Sequence, residues 1–236
     1  MHPIITDIYR TVAELDIPKN QINAQQFFKE QLENPIHIKT AILRKVSNQY
    51  FRQVRKLSNK EIYSLCEEFI STDKRYRLFF AFDWAEKLAG KYDKKDFALF
   101  KRWLFDLVSN WGECDHLAYG ILGKFLLQFP DEITKTKSWT KSKNRWVKRA
   151  AAVCLIKPVH QGLFIDNVFQ VAEELLTDED DLVQKGYGWM LKEASERYQR
   201  EVFDYLMSRK DTMPRTAFRY ALEKMPPDLR KQAMKK

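Results

Sequence analysis

Glycine and proline are scarce, seven and eight in 236 residues. With so few turn formers, no Asn-Gly or Asp-Gly pair and no alternating polar-apolar run, nothing supports a hairpin, barrel or sandwich fold. No apolar run approaches the roughly 18 residues of a membrane span, and the opening MHPIITDIYR lacks the charged-then-apolar plan of a secretory leader, so a cytoplasmic protein is expected. Cysteine is limited to Cys66, Cys114 and Cys154, an odd and widely spaced set inside apolar patterns, which reads as reduced core thiols. Four histidines without HxxxH spacing, and no CxxC, give no metal site. The absence of GKS or GKT and of GxGxxG removes the common phosphate-cradling enzymes, so any chemistry is expected to need no cofactor.

What is present is helical periodicity in a chain that is 44% hydrophobic and 31% charged, the balance of a folded protein rather than a disordered one. Helices are expected at 4–15, 21–33, 35–44, 47–57, 59–71, 74–90, 94–109, 112–129, 145–157, 162–176, 180–197, 199–208, 213–224 and 227–234. Ser58, Asp73, Asn144 and Thr177 place short acceptors where free helix amides need them. The helices repeat weakly: taking Arg77, Asp115, Arg149, Lys185 and Arg215 as equivalents gives steps of 38, 34, 36 and 30 residues. One helix-turn-helix unit of that size cannot bury its apolar face alone, so the expected fold is all-α, a HEAT-like helical repeat solenoid with a concave basic groove. It is read as a single domain over 1–236, with divergent N-terminal helices over 1–72 and the repeats over 73–225.

The net charge of +9 is unevenly spread. From Asn34 to Lys60 there is no acid but seven bases, Arg52 and Arg55 among them. Lys135 to Arg149 holds seven more without an acid, including Lys141, Lys143, Arg145, Lys148 and Arg149, and a third basic region begins at Arg209. Positive charge concentrated on a few segments displaces counterions from phosphates, so a polyanion is the expected partner. The segments lack the apolar, aromatic-lined opposite face of a membrane-surface helix.

Three expected helix starts carry paired residues four apart, and therefore on one side: Trp111 with Asp115, Arg145 with Arg149, and Lys185 with Trp189. At one level of a groove they would gather two indoles, one carboxylate and several cations. Trp84, Trp103 and Trp146 read instead as core, and Asp115 alone would be explained by its place in a first helical turn. Gly186 and Gly188 flank Tyr187 within a helix at a cost of about 1 kcal/mol each relative to alanine, so a close neighbour must need their missing side chains.

The blocks SNWGECDHLAYGILGKFLLQFP, NRWVKRAAAVCLIK and VQKGYGWMLKEASE resemble the signature blocks of the DNA alkylation repair family, the AlkD-like HEAT-repeat DNA glycosylases. The resemblance covers roughly residues 73–225 and matches Trp111, Asp115, Arg149 and Trp189 to that family's active-site positions. It implies duplex DNA as partner, a protein acting as a monomer, and release of purines carrying a positive charge from alkylation at N3 or N7. Such a cationic base is already a good leaving group, so no protonating acid is required. Asp115 would steady the oxocarbenium sugar, an effect of about 4 kcal/mol at ~4 Å and an effective dielectric near 20, on the order of a thousandfold in rate. Trp111 and Trp189 would pack against the lesion sugar and favour cations. Arg149 would hold the adjacent phosphate, with Arg145, Lys148, Lys185, Lys141, Lys143, Arg52 and Arg55 as further DNA contacts. The chain departs from the family at Asn110 and Gly112, where a second aromatic and an acid are usual, and in ILRKVSNQYFRQVRK, which lacks the usual glycine and proline. A non-cleaving binder of damaged or branched DNA and a protein-interaction scaffold are the alternative readings.

Overall fold

The computed structural model describes residues 1–27, 29 and 37–235. The architecture is all-helical, and among the described residues extended pairing is confined to one bridge between Gln21 and Ile38. The chain divides into two compact units, Met1–Lys91 and Tyr92–Lys236. Among the described residues no helix is long and apolar enough to cross a membrane.

The first unit contains α1 (Pro3–Leu15), α2 (Thr40–Val54), α3 (Asn59–Ser71) and α4 (Arg77–Glu86). In α1, His2 accepts the Ile4 N–H, Pro3 takes a position where no amide is needed, and Ile4, Ile5, Ile8 and Val12 form one buried stripe. A capping box, Ser58 with Glu61, starts α3 as the sequence leads one to expect. From Leu78 to Ala85, α4 is buried all round, so its chain reads apolar without a polar face. Phe69, Phe80 and Trp84 pack ring to ring in this core.

Some expected helices are redrawn. The span 21–33 holds only a 3-10 turn over Ala24–Phe27, with 28 and 30–33 outside the described residues. The spans 35–44 and 47–57 are one helix, α2, because no glycine or proline interrupts them; residues 35 and 36 lie outside the described residues. Asp73 caps nothing, since the chain turns again before α4 begins at Arg77. Asp180 takes the capping place expected of Thr177, accepting from the Leu182 and Val183 amides.

The second unit runs α5 (Asp96–Asp106), α6 (Trp111–Asp115), a π-helical segment (His116–Leu122), α7 (Gly123–Gln128), a run of 3-10 turns (Pro130–Lys141), α8 (Arg145–Val153), α9 (Ile156–His160), α10 (Ile165–Glu174), α11 (Asp181–Ala194), α12 (Gln199–Ser208), α13 (Arg215–Ala221) and α14 (Pro227–Met234). The 3-10 run was not legible as structure; Trp139, buried and stacked on Phe97 with centroids 5.9 Å apart, anchors it. Packing against both α8 and α13 makes α11 the centre of the unit. Gly188 permits this: a Cβ there would lie 2.8 Å from Tyr220 Cβ and 2.9 Å from the Ala217 carbonyl of α13. The need for small residues at 186 and 188 is thus met by neighbouring protein. Trp84, Trp103 and Trp146 are buried, and so are all three cysteines, which are unpaired.

Candidate functional site

Asn110 fixes the start of the site. Its side chain accepts the Glu113 N–H at 3.0 Å, and Glu113 accepts the Ser109 N–H at 2.9 Å and the Ser109 hydroxyl at 3.0 Å. Glu113 is thereby engaged in capping. Trp111 and Asp115, one turn apart on α6, are both half-buried.

Asp115 meets Arg149 of α8 in a two-pronged ion pair, Nε to Oδ1 and Nη2 to Oδ2, each 2.8 Å. Arg149 Nη1 donates to the Leu182 carbonyl, in the first turn of α11, at 2.5 Å. One guanidinium therefore ties three helices. The Arg149 side chain is 8% exposed and that of Asp115 is 19% exposed, so the carboxylate is the member open to a ligand. Burial works against charge on Arg149, but the hydrogen bonds and charge of Asp115 outweigh it and keep the guanidinium firmly protonated. A Cβ at Gly186 would lie 3.0 Å from Arg149 Cγ, so glycine there makes room for the arginine stem. The family resemblance implies a phosphate grip for Arg149; in the structure its guanidinium is bonded to Asp115 and the Leu182 carbonyl.

Trp189, on α11, is half-buried and stacks on Tyr119 with centroids 5.7 Å apart and planes at 27°. Its Nε1–H donates to Glu193 Oε1 at 3.1 Å. Tyr119 lies in the π-helical segment, with Lys157 Nζ 3.8 Å from its ring centroid. Glu193 Oε2 also lies 3.0 Å from His160 Nε2 and accepts from Lys224 at 2.7 Å. Lys224 reaches Glu196 at 2.8 Å as well, so its ammonium lies against both carboxylates of the His160, Glu193 and Glu196 group, the place a shared cation would take. Sequence reasoning missed Tyr119, although it continues the Trp111–Asp115 spacing by a further four residues. It also missed Glu193, which comes four residues after Trp189.

These helices carry a sequence that matches the family model described as DNA alkylation repair enzyme over residues 8–225. The chain belongs to the DNA alkylation repair enzyme family. Three solved structures share the fold of this family member. A predicted DNA alkylation repair enzyme from Enterococcus faecalis is 16% identical, with a TM-score of 0.69 over 78% of this chain and 84% of that one. AlkD2 from Streptococcus mutans is 16% identical, with a TM-score of 0.61 over 92% of this chain and 98% of that one. The protein smu.31 from Streptococcus mutans UA159 is 17% identical, with a TM-score of 0.58 over 78% of this chain and 92% of that one. No curated protein matches the sequence.

In this alkylation repair protein several cations read from the sequence as DNA contacts have internal partners. Arg145 pairs with Asp180, Nε to Oδ2 at 2.6 Å, and comes within 4.0 Å of Asp181. Lys148 pairs with Asp178, and Lys185 pairs with Asp181 at 3.2 Å. The signal for this was the acidic run TDEDD over 177–181, which supplies the carboxylates. Burial opposes ionisation of Asp180, yet hydrogen bonds from Arg145 and the Leu182 and Val183 amides, with the Arg145 charge, hold it below the usual carboxylate range. Lys141, at the end of the 3-10 run, and Lys143 are exposed. Arg52 and Arg55 are exposed in the Met1–Lys91 unit.

Proposed function

We propose that this protein binds duplex DNA and hydrolyses the N-glycosidic bond of cationic N3- or N7-alkylated purines, as a monofunctional glycosylase on a HEAT-like repeat scaffold. The observation that carries the reading is the Asp115–Arg149 pair. It fixes a carboxylate on the same helical stretch as Trp111 and leaves part of it open, while Trp189 stacks onto that stretch through Tyr119. A carboxylate has about four lone-pair directions, and the arginine fork uses two, so Asp115 keeps acceptor sites for the attacking water or for the sugar cation. Trp111 and Trp189 offer indole faces to the charged nucleoside. Lys141 and Lys143, exposed on the same unit, supply phosphate contacts. Arg149 is a positioning residue for Asp115.

Arg149 also moderates the carboxylate. A sugar cation ~4 Å from Asp115 gains about 4 kcal/mol at an effective dielectric near 20, and an arginine about 8 Å behind takes back about 2 kcal/mol. The net is about 2 kcal/mol, on the order of thirtyfold in rate. Asp115→Asn removes the attraction and leaves the repulsion, so release of 7-methylguanine or 3-methyladenine from alkylated duplex should fall about a thousandfold with affinity preserved. The double variant Asp115→Asn with Arg149→Met removes both charges and should lose only about thirtyfold. Unchanged release in Asp115→Asn would end the electrostatic role.

The same moderating arginine favours a second reading, a non-cleaving binder of damaged or branched DNA. Absence of any base release from the wild-type protein, with tight binding to the lesion duplex, would select it.

A further inference from the structure

Trp189 is held by two neighbours that take no part in the proposed bond cleavage. Stacking on Tyr119 sets the plane of its ring, and the hydrogen bond from Nε1 to Glu193 sets its rotation within that plane. Three donors converge on Glu193: the Trp189 indole, His160 and Lys224. Burial opposes ionisation of this carboxyl. The Lys224 hydrogen bond and charge, with hydrogen bonds from His160 and Trp189, outweigh that and hold it below the usual range. Glu193 is an anion at neutral pH.

An anion at an indole N–H shifts electron density into the ring, because hydrogen bonds in a poorly screened setting polarise the groups they join. A more negative ring face attracts a cation more strongly. The stack already takes one cation on an aromatic face, the Lys157 ammonium over Tyr119.

We propose that Glu193 and Tyr119 are specificity-determining residues acting through Trp189: Glu193 enriches the indole in electrons and Tyr119 holds its plane, and together they set the preference for a cationic nucleoside over a neutral one. This rests on the reading that Trp189 faces a cationic alkylpurine nucleotide. The alternative role, in which Glu193 only clasps His160 and Lys224, predicts a loss of stability without a change in preference.

The test uses the full-length protein and two duplexes differing at one base, guanine or N7-methylguanine. Both carry a 2′-fluoro sugar, whose electron withdrawal blocks bond breaking, so binding is read without turnover. The measured quantity is the ratio of the two affinities by fluorescence anisotropy. The wild type should prefer the cationic duplex. Glu193→Gln keeps the acceptor and the shape but not the charge, and should reduce that ratio about threefold. Tyr119→Leu, at a half-buried position, should reduce it by a similar factor, whereas Tyr119→Phe, which keeps the aromatic ring, should retain it. Affinity for the unmodified duplex should not move in any of them. An unchanged ratio in Tyr119→Leu, or in folded Glu193→Gln, overturns the proposal while the alkylpurine reading stands. A wild type with no preference at all overturns both.

Discussion

Removing the charge of Arg149 alone leaves the Asp115 carboxylate half-buried with no cation beside it. Arg149→Met should therefore cost about 3 kcal/mol in urea unfolding, and adding Asp115→Asn should recover much of it, because a lone charge costs more than a missing pair. A double variant less stable than Arg149→Met would show that the pair does not behave as a unit. At this scale helical spacing and the family blocks single out Trp111, Asp115, Arg149 and Trp189 as candidate positions, because both point to particular residues. That Asp115 and Arg149 are partners, 34 residues apart, was not legible, because only the packing of α6 against α8 decides which side chains meet. Tyr119 and Glu193 looked like ordinary helix residues for the same reason.

Between elements, α11 is the member on which the second unit depends. Gly188→Ala pushes a methyl group into the Ala217 carbonyl, a backbone atom that cannot swing aside, and should destabilise by about 2 kcal/mol. Gly186→Ala meets the Arg149 side chain instead and should disturb the ion pair more than the fold; paired thermal melts and release assays separate the two. The link from α8 to α11 through Arg145 and Asp180 should also respond to acid. Since folding lowers the Asp180 pKa from its ordinary 3.8, the contribution is present above that value and is lost as pH falls below it. The stability gap between wild type and Asp180→Asn should be constant from pH 6 down to about 4 and shrink below. Elements such as α1, α3 and α12 were legible because an apolar stripe and, in α3, a cap agree. The 3-10 run over Pro130–Lys141 was not, since its threonines and lysines carry no apolar period and its buried members, Trp139 apart, are polar.

For the whole molecule, the net charge of +9 points toward a polyanion but overstates how many cations are available, since Arg145, Lys148 and Lys185 already lie against carboxylates. Charge can be counted along a chain; whether a lysine already has a carboxylate beside it depends on the fold. Six phosphate contacts predict a slope near −5 when log affinity is plotted against log salt. Lys141→Glu with Lys143→Glu should flatten it by about 2, whereas Lys148→Gln, whose partner is Asp178, should change it little. A slope insensitive to Lys141 and Lys143 would move the DNA surface elsewhere. Tyr92–Lys236 is a compact unit with its own aromatic and aliphatic core, so a fragment beginning at Tyr92 should melt cooperatively by circular dichroism.

Between His116 and Leu122 the backbone is wound more loosely than on either side, which fits one extra residue into the length of an ordinary helix. Excising a single amino acid from that stretch would let the coil tighten into regular α-helix. The residues on either side would keep nearly the same orientation, because the wider turn had already absorbed the extra residue. The carboxylate would keep facing its arginine, so the loss of one codon from this stretch is a change the ion pair should survive.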